Sequence, residues 1–303
     1  MNRKIWKALG IAVCMLALAA PRAMAARYEV GMGDPFIKFG DAVEAINQSG
    51  DTENEIVLME NITLGGNYIN YTLTNDKTTT TKTTTIKGEG HTISIKSKAE
   101  IKVEGEKTVL NLGANGYDKK LTIDGDTTAA FIVVSGGATA NMNENVTLQN
   151  RMFTGNAYVL VTGSKSVFNM KGGVIEGGSR AVIAQSGATF YMRSGEIKNC
   201  KVNGDGVISV TDNSKFIMEG GIISGCKADT GGGLYADNST VTISGGTISG
   251  CKVGAGGGLF VDSSTVRISG GIISKCITSD TGNGGGLYAY NSTLNITGGT
   301  IKD

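Results

Sequence analysis

The segment GGGLYADNSTVTISGGTISGC (Gly231 to Cys251) is followed by a near copy of itself, GGGLFVDSSTVRISGGIISKC (Gly256 to Cys276). A third copy, GGGLYAYNSTLNITGGTIKD, runs from Gly284 to Asp303. Cys200, Cys226, Cys251 and Cys276 mark the same period, at intervals of 26, 25 and 25 residues. Self-similarity at this period constrains the chain to an architecture of stacked units, each burying its apolar side against the next.

Within a copy the pattern is that of half-buried strands. Val241 and Ile243 alternate with Thr240, Thr242 and Ser244; Gly245-Gly246 interrupts; Ile248 is the inward residue of the next run. After the cysteine come a loop, three glycines and a third run, in which Leu259 and Val261 alternate with Phe260 and Asp262. Three strands and three turns leave no room for a crossover helix, so equivalent strands must stack from coil to coil. The expected fold is all-β: a parallel β-helix with three-strand coils of about 25 residues and a rise of roughly 4.8 Å per coil.

Three apolar columns follow from that stacking. One reads Phe168, Phe190, Phe216, Val241, Val266, Leu294; its neighbour Met170, Met192, Met218, Ile243, Ile268, Ile296; the third Ile175, Ile197, Ile223, Ile248, Ile273, Ile301. Each such side chain contributes about 1.5–3 kcal/mol on burial. Asn213, Asn238 and Asn291, with Ser263 among them, form a turn column suited to the left-handed conformation. The glycine pairs at 220–221, 245–246, 270–271 and 298–299 mark tight corners; none precedes a helix or a Lys-Ser/Thr, so none is a phosphate loop.

Residues 1–25 read as a secretory signal peptide: Arg3, Lys4 and Lys7, an apolar stretch from Ala8 to Ala20, and Ala23-Met24-Ala25 as a small-x-small cleavage site. The apolar stretch is short for a membrane span, and no other segment qualifies. Its removal takes four basic residues and no acidic one, leaving a slightly acidic chain without a basic patch or aromatic platform for nucleic acid. Residues 26–55 form an N-terminal cap, in which Phe36, Phe39, Ala42, Val43 and Ile46 have helical spacing between Pro35 and Gly50. The helix covers the open top of a β-helix that spans 56–303, begins its strands at Ile56 and is most regular over 172–303. The threonine-rich stretch from Thr78 to Thr85 is expected as an extruded loop or an edge strand.

The repeats GGT-I-S-G and GGG-L-Y resemble those of bacterial secreted right-handed parallel β-helix proteins, above all the adhesin-like passengers of polymorphic outer-membrane and autotransporter proteins. The resemblance is close over Gly172 to Asp303 and loose elsewhere. It departs at one column, where the family's Asn is Cys226, Cys251 and Cys276. It implies an exported, cell-surface or secreted protein that presents an extended binding surface.

Four features carry candidate chemistry. The cysteine column can be a set of buried thiols or can pair as Cys200–Cys226 and Cys251–Cys276; a zinc site lacks the close ligands or histidines it needs. Asp212, Asp237 and Asp262 form an outward acidic column. Two carboxylates roughly 4.8 Å apart repel by only about 0.9 kcal/mol in water, so no calcium ion is required to explain them. Tyr235, Phe260 and Tyr288 form an outward aromatic ladder beside it, able to meet a glycan or protein of a host or neighbouring cell, or simply to stabilise the sheet. His91 is the chain's one histidine, in a turn entering a strand with no acid or nucleophile assigned to it.

No catalytic, cofactor or metal residue is expected. The competing function is a polysaccharide lyase or glycoside hydrolase on the same scaffold. Against it, the chain has no Asp-Asp dipeptide, Pro35 is its one proline beyond the leader, and Arg27, Arg151, Arg180, Arg193 and Arg267 are scattered. The coil pattern persists to Ile301 without a cap, barrel or wall anchor. The expectation is therefore either the front part of a longer surface protein or a last coil that associates end to end with another chain.

Overall fold

The computed structural model describes residues 25–32, 35–65, 70–149, 157–279 and 282–302. The leader assigned to 1–25 lies, but for Ala25, outside them. The chain winds into a parallel β-solenoid of three long sheets. The first sheet has eleven strands, from Ala26–Val30 to Thr293–Ile296. The second has ten, from Ile62–Leu64 to Thr300–Lys302, and the third nine, from Asn70–Leu73 to Leu287–Tyr290. Neighbouring strands in all three are parallel and come from successive coils.

The three apolar columns stack in register as the spacing predicts. Phe168 pairs with Phe190, Phe190 with Phe216, and Phe216 with Val241; Met170, Met192, Met218 and Ile243 follow on the same strands. The third column continues N-terminally through Leu148, Ile123, Ile93 and Ile62. The Phe168, Phe190 and Phe216 rings lie 5.4 and 5.2 Å apart between centroids and are fully buried. Identical side chains one coil apart thus fill the interior by stacking on one another, which is how a repeat becomes a core.

Corners follow from the absence of side chains. Gly246 has φ +85°, and a Cβ there would lie 2.5 Å from Met218 Cε and 2.8 Å from Gly221 O; one at Gly245 would lie 2.3 Å from Glu219 O. The turn column is left-handed throughout: Asn213, Asn238, Ser263 and Asn291 have φ of 62°, 46°, 46° and 46°. Beside it a serine column closes the polar account. The hydroxyls of Ser214, Ser264 and Ser292 accept the backbone N–H of Ala188, Ser239 and Ser264, at 3.1, 3.0 and 3.1 Å.

The helix spans Phe39–Gln48 and buries Phe39, Ala42, Val43 and Ile46; Phe36 precedes it. Phe39 packs edge-on against Tyr71 of the third sheet at 5.5 Å, so the helix lies over the first coil as a lid. Two expectations are corrected here. A strand, Ala26–Val30, precedes the helix and pairs with Glu53–Leu58, so strands begin before Ile56. The threonine stretch is a loop only in its first half. Lys82–Lys87 is a strand inside the first sheet, flanked on both sides rather than at an edge.

Lys82 of that strand points inward and is 1% exposed. Its Nζ donates to Ile46 O and Ser49 O, both at 2.8 Å, pinning the carbonyl end of the helix to the solenoid. Burial pushes its pKa down, partly opposed by Asp51 and Asp76.

The loop after each cysteine is also more ordered than the sequence implies. Lys201, Lys227 and Lys252 are joined by parallel bridges, and Lys252–Val253 pairs with Ile277–Thr278 as a short fourth ladder.

Candidate functional site

The third sheet carries the outward features. Inward residues Leu234 and Ala236, Leu259 and Val261, fix the faces of two successive strands. The residues between them are thereby turned to solvent, because strand side chains alternate. Ser209, Tyr235, Phe260 and Tyr288 fall in one register column. Tyr235 and Phe260 stack at 5.6 Å and 13°, Phe260 and Tyr288 at 5.1 Å and 29°. The rings therefore cover one another's faces and present mainly edges and phenol oxygens outward. All three are half-buried.

The neighbouring column holds Asp237, Asp262 and then Tyr290. Here the structure corrects the acidic column. Val210 pairs with Ala236 on the third sheet while Lys215 pairs with Thr240 on the first, so this coil has one more residue between the strands. Asp212 absorbs it in a left-handed turn, φ 55°, exposed and out of line with Asp237. Two carboxylates stack, not three.

Two residues join the site that sequence reasoning missed. Tyr290, 53% exposed, stands two positions after Tyr288 on the same face. Its signal was visible: the third copy reads LYAY where the first reads LYAD. Asp205 comes from the loop one coil before Tyr235 and accepts a hydrogen bond from Thr230 Oγ1 at 2.6 Å. No repeat position announces it, since its bridge partners are Thr230 and then Ala255. Desolvation pushes the Tyr235 phenol up, and Asp205, Asp237 and Asp262 add to the rise, so three carboxylates act on one ring.

The cysteines form the predicted column, facing inward, buried and unbridged. Cys226, Cys251 and Cys276 donate to the carbonyls of Ser224, Ser249 and Ser274 at 3.4, 3.6 and 3.3 Å. Their thiols are held protonated: the neighbouring cysteine and burial push Cys251 up to about 12, and Cys226 and Cys276 also rise. Such thiols are poor nucleophiles. Among the described residues no group of three or more His, Cys, Asp or Glu is placed to hold a metal ion.

Elsewhere, Glu100 is the carboxyl that burial pushes up, opposed by Lys102. Its register partner in the preceding coil is Asn70, not a carboxylate. A cleft of about 420 Å³ opens beside the helix, with Phe39, Leu64 and Tyr71 in its wall and Asp41 and Glu44 at its rim. Both rim carboxylates are exposed on the helix. His91 sits at the turn before Thr92–Ser97, its N–H bonded to Gly88 O at 2.7 Å. Among the described residues no helix is long and apolar enough to cross a membrane.

No protein-family model matches this chain, and neither a curated protein nor a solved structure matches it.

Proposed function

We propose that this chain is an exported, adhesin-like binding scaffold, whose contact face is the aromatic and carboxylate patch on the third sheet. The observation that carries the reading is the rigid, half-exposed ladder Tyr235–Phe260–Tyr288 with Tyr290 and the paired Asp237 and Asp262 beside it. Exposed aromatic clusters on a solenoid are the kind of surface that repeat proteins use for partners. The leader-like residues 1–25 support export. Glycan and protein ligands both suit such a face.

The polysaccharide-cleaving alternative draws less support. Hydrolysis of a glycosidic bond needs one carboxyl held protonated near a second, ionised one. Glu100 is raised, but its register partner in the preceding coil is Asn70 and not a carboxylate. Asp237 and Asp262 stand side by side in direct register on adjacent strands, with no raised carboxyl placed beside them among the described residues.

Beads coated with the protein, screened against a glycan array and a panel of immobilised extracellular proteins, test the reading. Phe260→Ala and Tyr288→Ala should each weaken the captured interaction at least tenfold while circular dichroism stays unchanged. Unsaturated uronate products from pectic polymers would overturn it in favour of a lyase.

A further inference from the structure

Resting on the contact-face reading, we infer that the partner is a protein surface presenting arginine or lysine side chains, which dock across the Tyr235–Tyr288 ladder onto Asp237 and Asp262. Three observations converge on this class.

The first is ring geometry. A sugar ring is bound by laying its C–H face on an aromatic face, and the ladder's inner faces are occupied by neighbouring rings at 5.1 and 5.6 Å with interplanar angles of 29° and 13°. What faces outward is a row of ring edges with the hydroxyls of Tyr235, Tyr288 and Tyr290. Edges and phenol oxygens are what protein interfaces use well: amphipathic area that loses little conformational entropy on binding.

The second is charge. Asp237 and Asp262 are in direct register at the margin of the ladder, and Asp205 reaches its first ring from the preceding coil. Among the described contacts neither Asp237 nor Asp262 has an ion-pair partner; the Asp262 carboxylate accepts the hydroxyl of Ser263, at 2.9 Å. A planar guanidinium can bridge two carboxylates stacked on adjacent strands, whereas a polyuronate or sulfated chain would be repelled.

The third is where the cations lie. Lys201, Lys227 and Lys252 stand on the short ladder after the cysteines, on the approach to the third sheet, and not in the aromatic or aspartate columns. Asp205 lies against Arg180, whose Nε and Nη2 donate to its carbonyl oxygen, so Asp237 and Asp262 are the carboxylates left for a ligand.

Calorimetric titration of the native protein with an octa-arginine peptide, a neutral β-glucan oligomer and polygalacturonate tests the inference. Octa-arginine should bind, weaken as salt is raised, and lose at least tenfold in affinity on D237N/D262N and on F260A. Removing two distant charges, D41N/E44Q on the helix, should leave it unchanged; the two glycans should not bind. Equal losses from both charge-removing pairs would overturn the inference, since net charge would then suffice. A glycan whose binding is abolished by F260A would overturn the partner class while keeping the contact face. Binding of every probe unmoved by F260A and D237N/D262N would sink both.

Discussion

Around Asn111, Asn141 and Asn169 successive coils are offset by 30 and 28 residues, whereas around Ser239 and Ser264 the offset is 25. The two regions face the same requirement, that buried polar groups find partners, and answer it by different routes; the early coils leave Asn54 Oδ1, Ser135 Oγ and Asn145 Oδ1 without one. The early coils use individual devices. Asn141 donates to Asn111 at 2.8 Å and Asn169 to Asn141 at 2.9 Å, forming an amide ladder on the outside of the first sheet. Lys82 is buried against two helix carbonyls. Glu89 takes hydrogen bonds from Tyr117 and Lys119 across another pair of coils. The late coils instead copy one solution: a glycine corner, a left-handed Asn or Ser, and a serine that accepts the previous coil's amide. Copying makes a region legible and interchangeable; individual devices make it specific to its place.

The largest effect that would sharpen the contrast is expected at the phenylalanine stack. Phe190→Ala removes the ring between Phe168 and Phe216 and should cost about 3–5 kcal/mol, read as a shift of the denaturant midpoint. Because contacts in a solenoid are mostly between nearest neighbours, hydrogen exchange should accelerate around Thr189–Met192 before it does at the helix.

Corners come next. Gly246→Val places a branched side chain at φ +85° against backbone and should cost about 3 kcal/mol, from left-handed strain and overpacking together. Gly90, at φ +94°, has open space around it, so Gly90→Ala should cost only about 1–2 kcal/mol. Equal losses at the two positions would break the distinction between a copied corner and a free turn.

Polar closure separates the regions more finely. Ser264→Ala leaves the Ser239 N–H without its acceptor and should cost about 1–3 kcal/mol. Lys82→Ala should cost a similar amount, but with a local signature, loosening of the Phe39–Gln48 helix. If Lys82→Ala instead loosened the late coils, the regions would not be separable.

The smallest effect is pH-dependent and has opposite signs in the two regions. Cys226 and Cys251 hold their protons more tightly when folded, so their contribution is intact below the ordinary thiol value of 9.0 and is lost as pH rises toward about 12. Each such thiol gives up at most about 1.4 kcal/mol per pH unit in that window. Lys82, pushed down by burial, acts the other way: the unfolded chain holds its proton longer, so the first coils gain as pH approaches 10.5. Exchange measured between pH 8 and 10.5 should therefore open the late coils first, and Cys226→Ala with Cys251→Ala should flatten that slope.

The residues show why some of this was readable in advance. Ile175, Ile197, Ile223 and Ile248 are spaced so that one backbone geometry serves all of them, and any shift of one residue would turn the column to solvent. Tyr235, Phe260 and Tyr288 were legible for the same reason. Asp212 was misplaced because an insertion of one residue between two strands leaves both strand patterns intact and is invisible to column counting.

Periodicity alone thus determined the solenoid, its three apolar columns, the glycine corners and the stacking of the aromatic ladder, since a repeated local pattern has only one way to bury the same face in every copy. The tertiary structure decided what depends on residues brought together from unlike positions: the helix held by Lys82, the asparagine ladder, Asp205 beside Tyr235, and the ring faces closed against one another. Those contacts arise between segments whose spacing follows no period, and the relative placement of such segments is set by packing rather than by any residue's own preference.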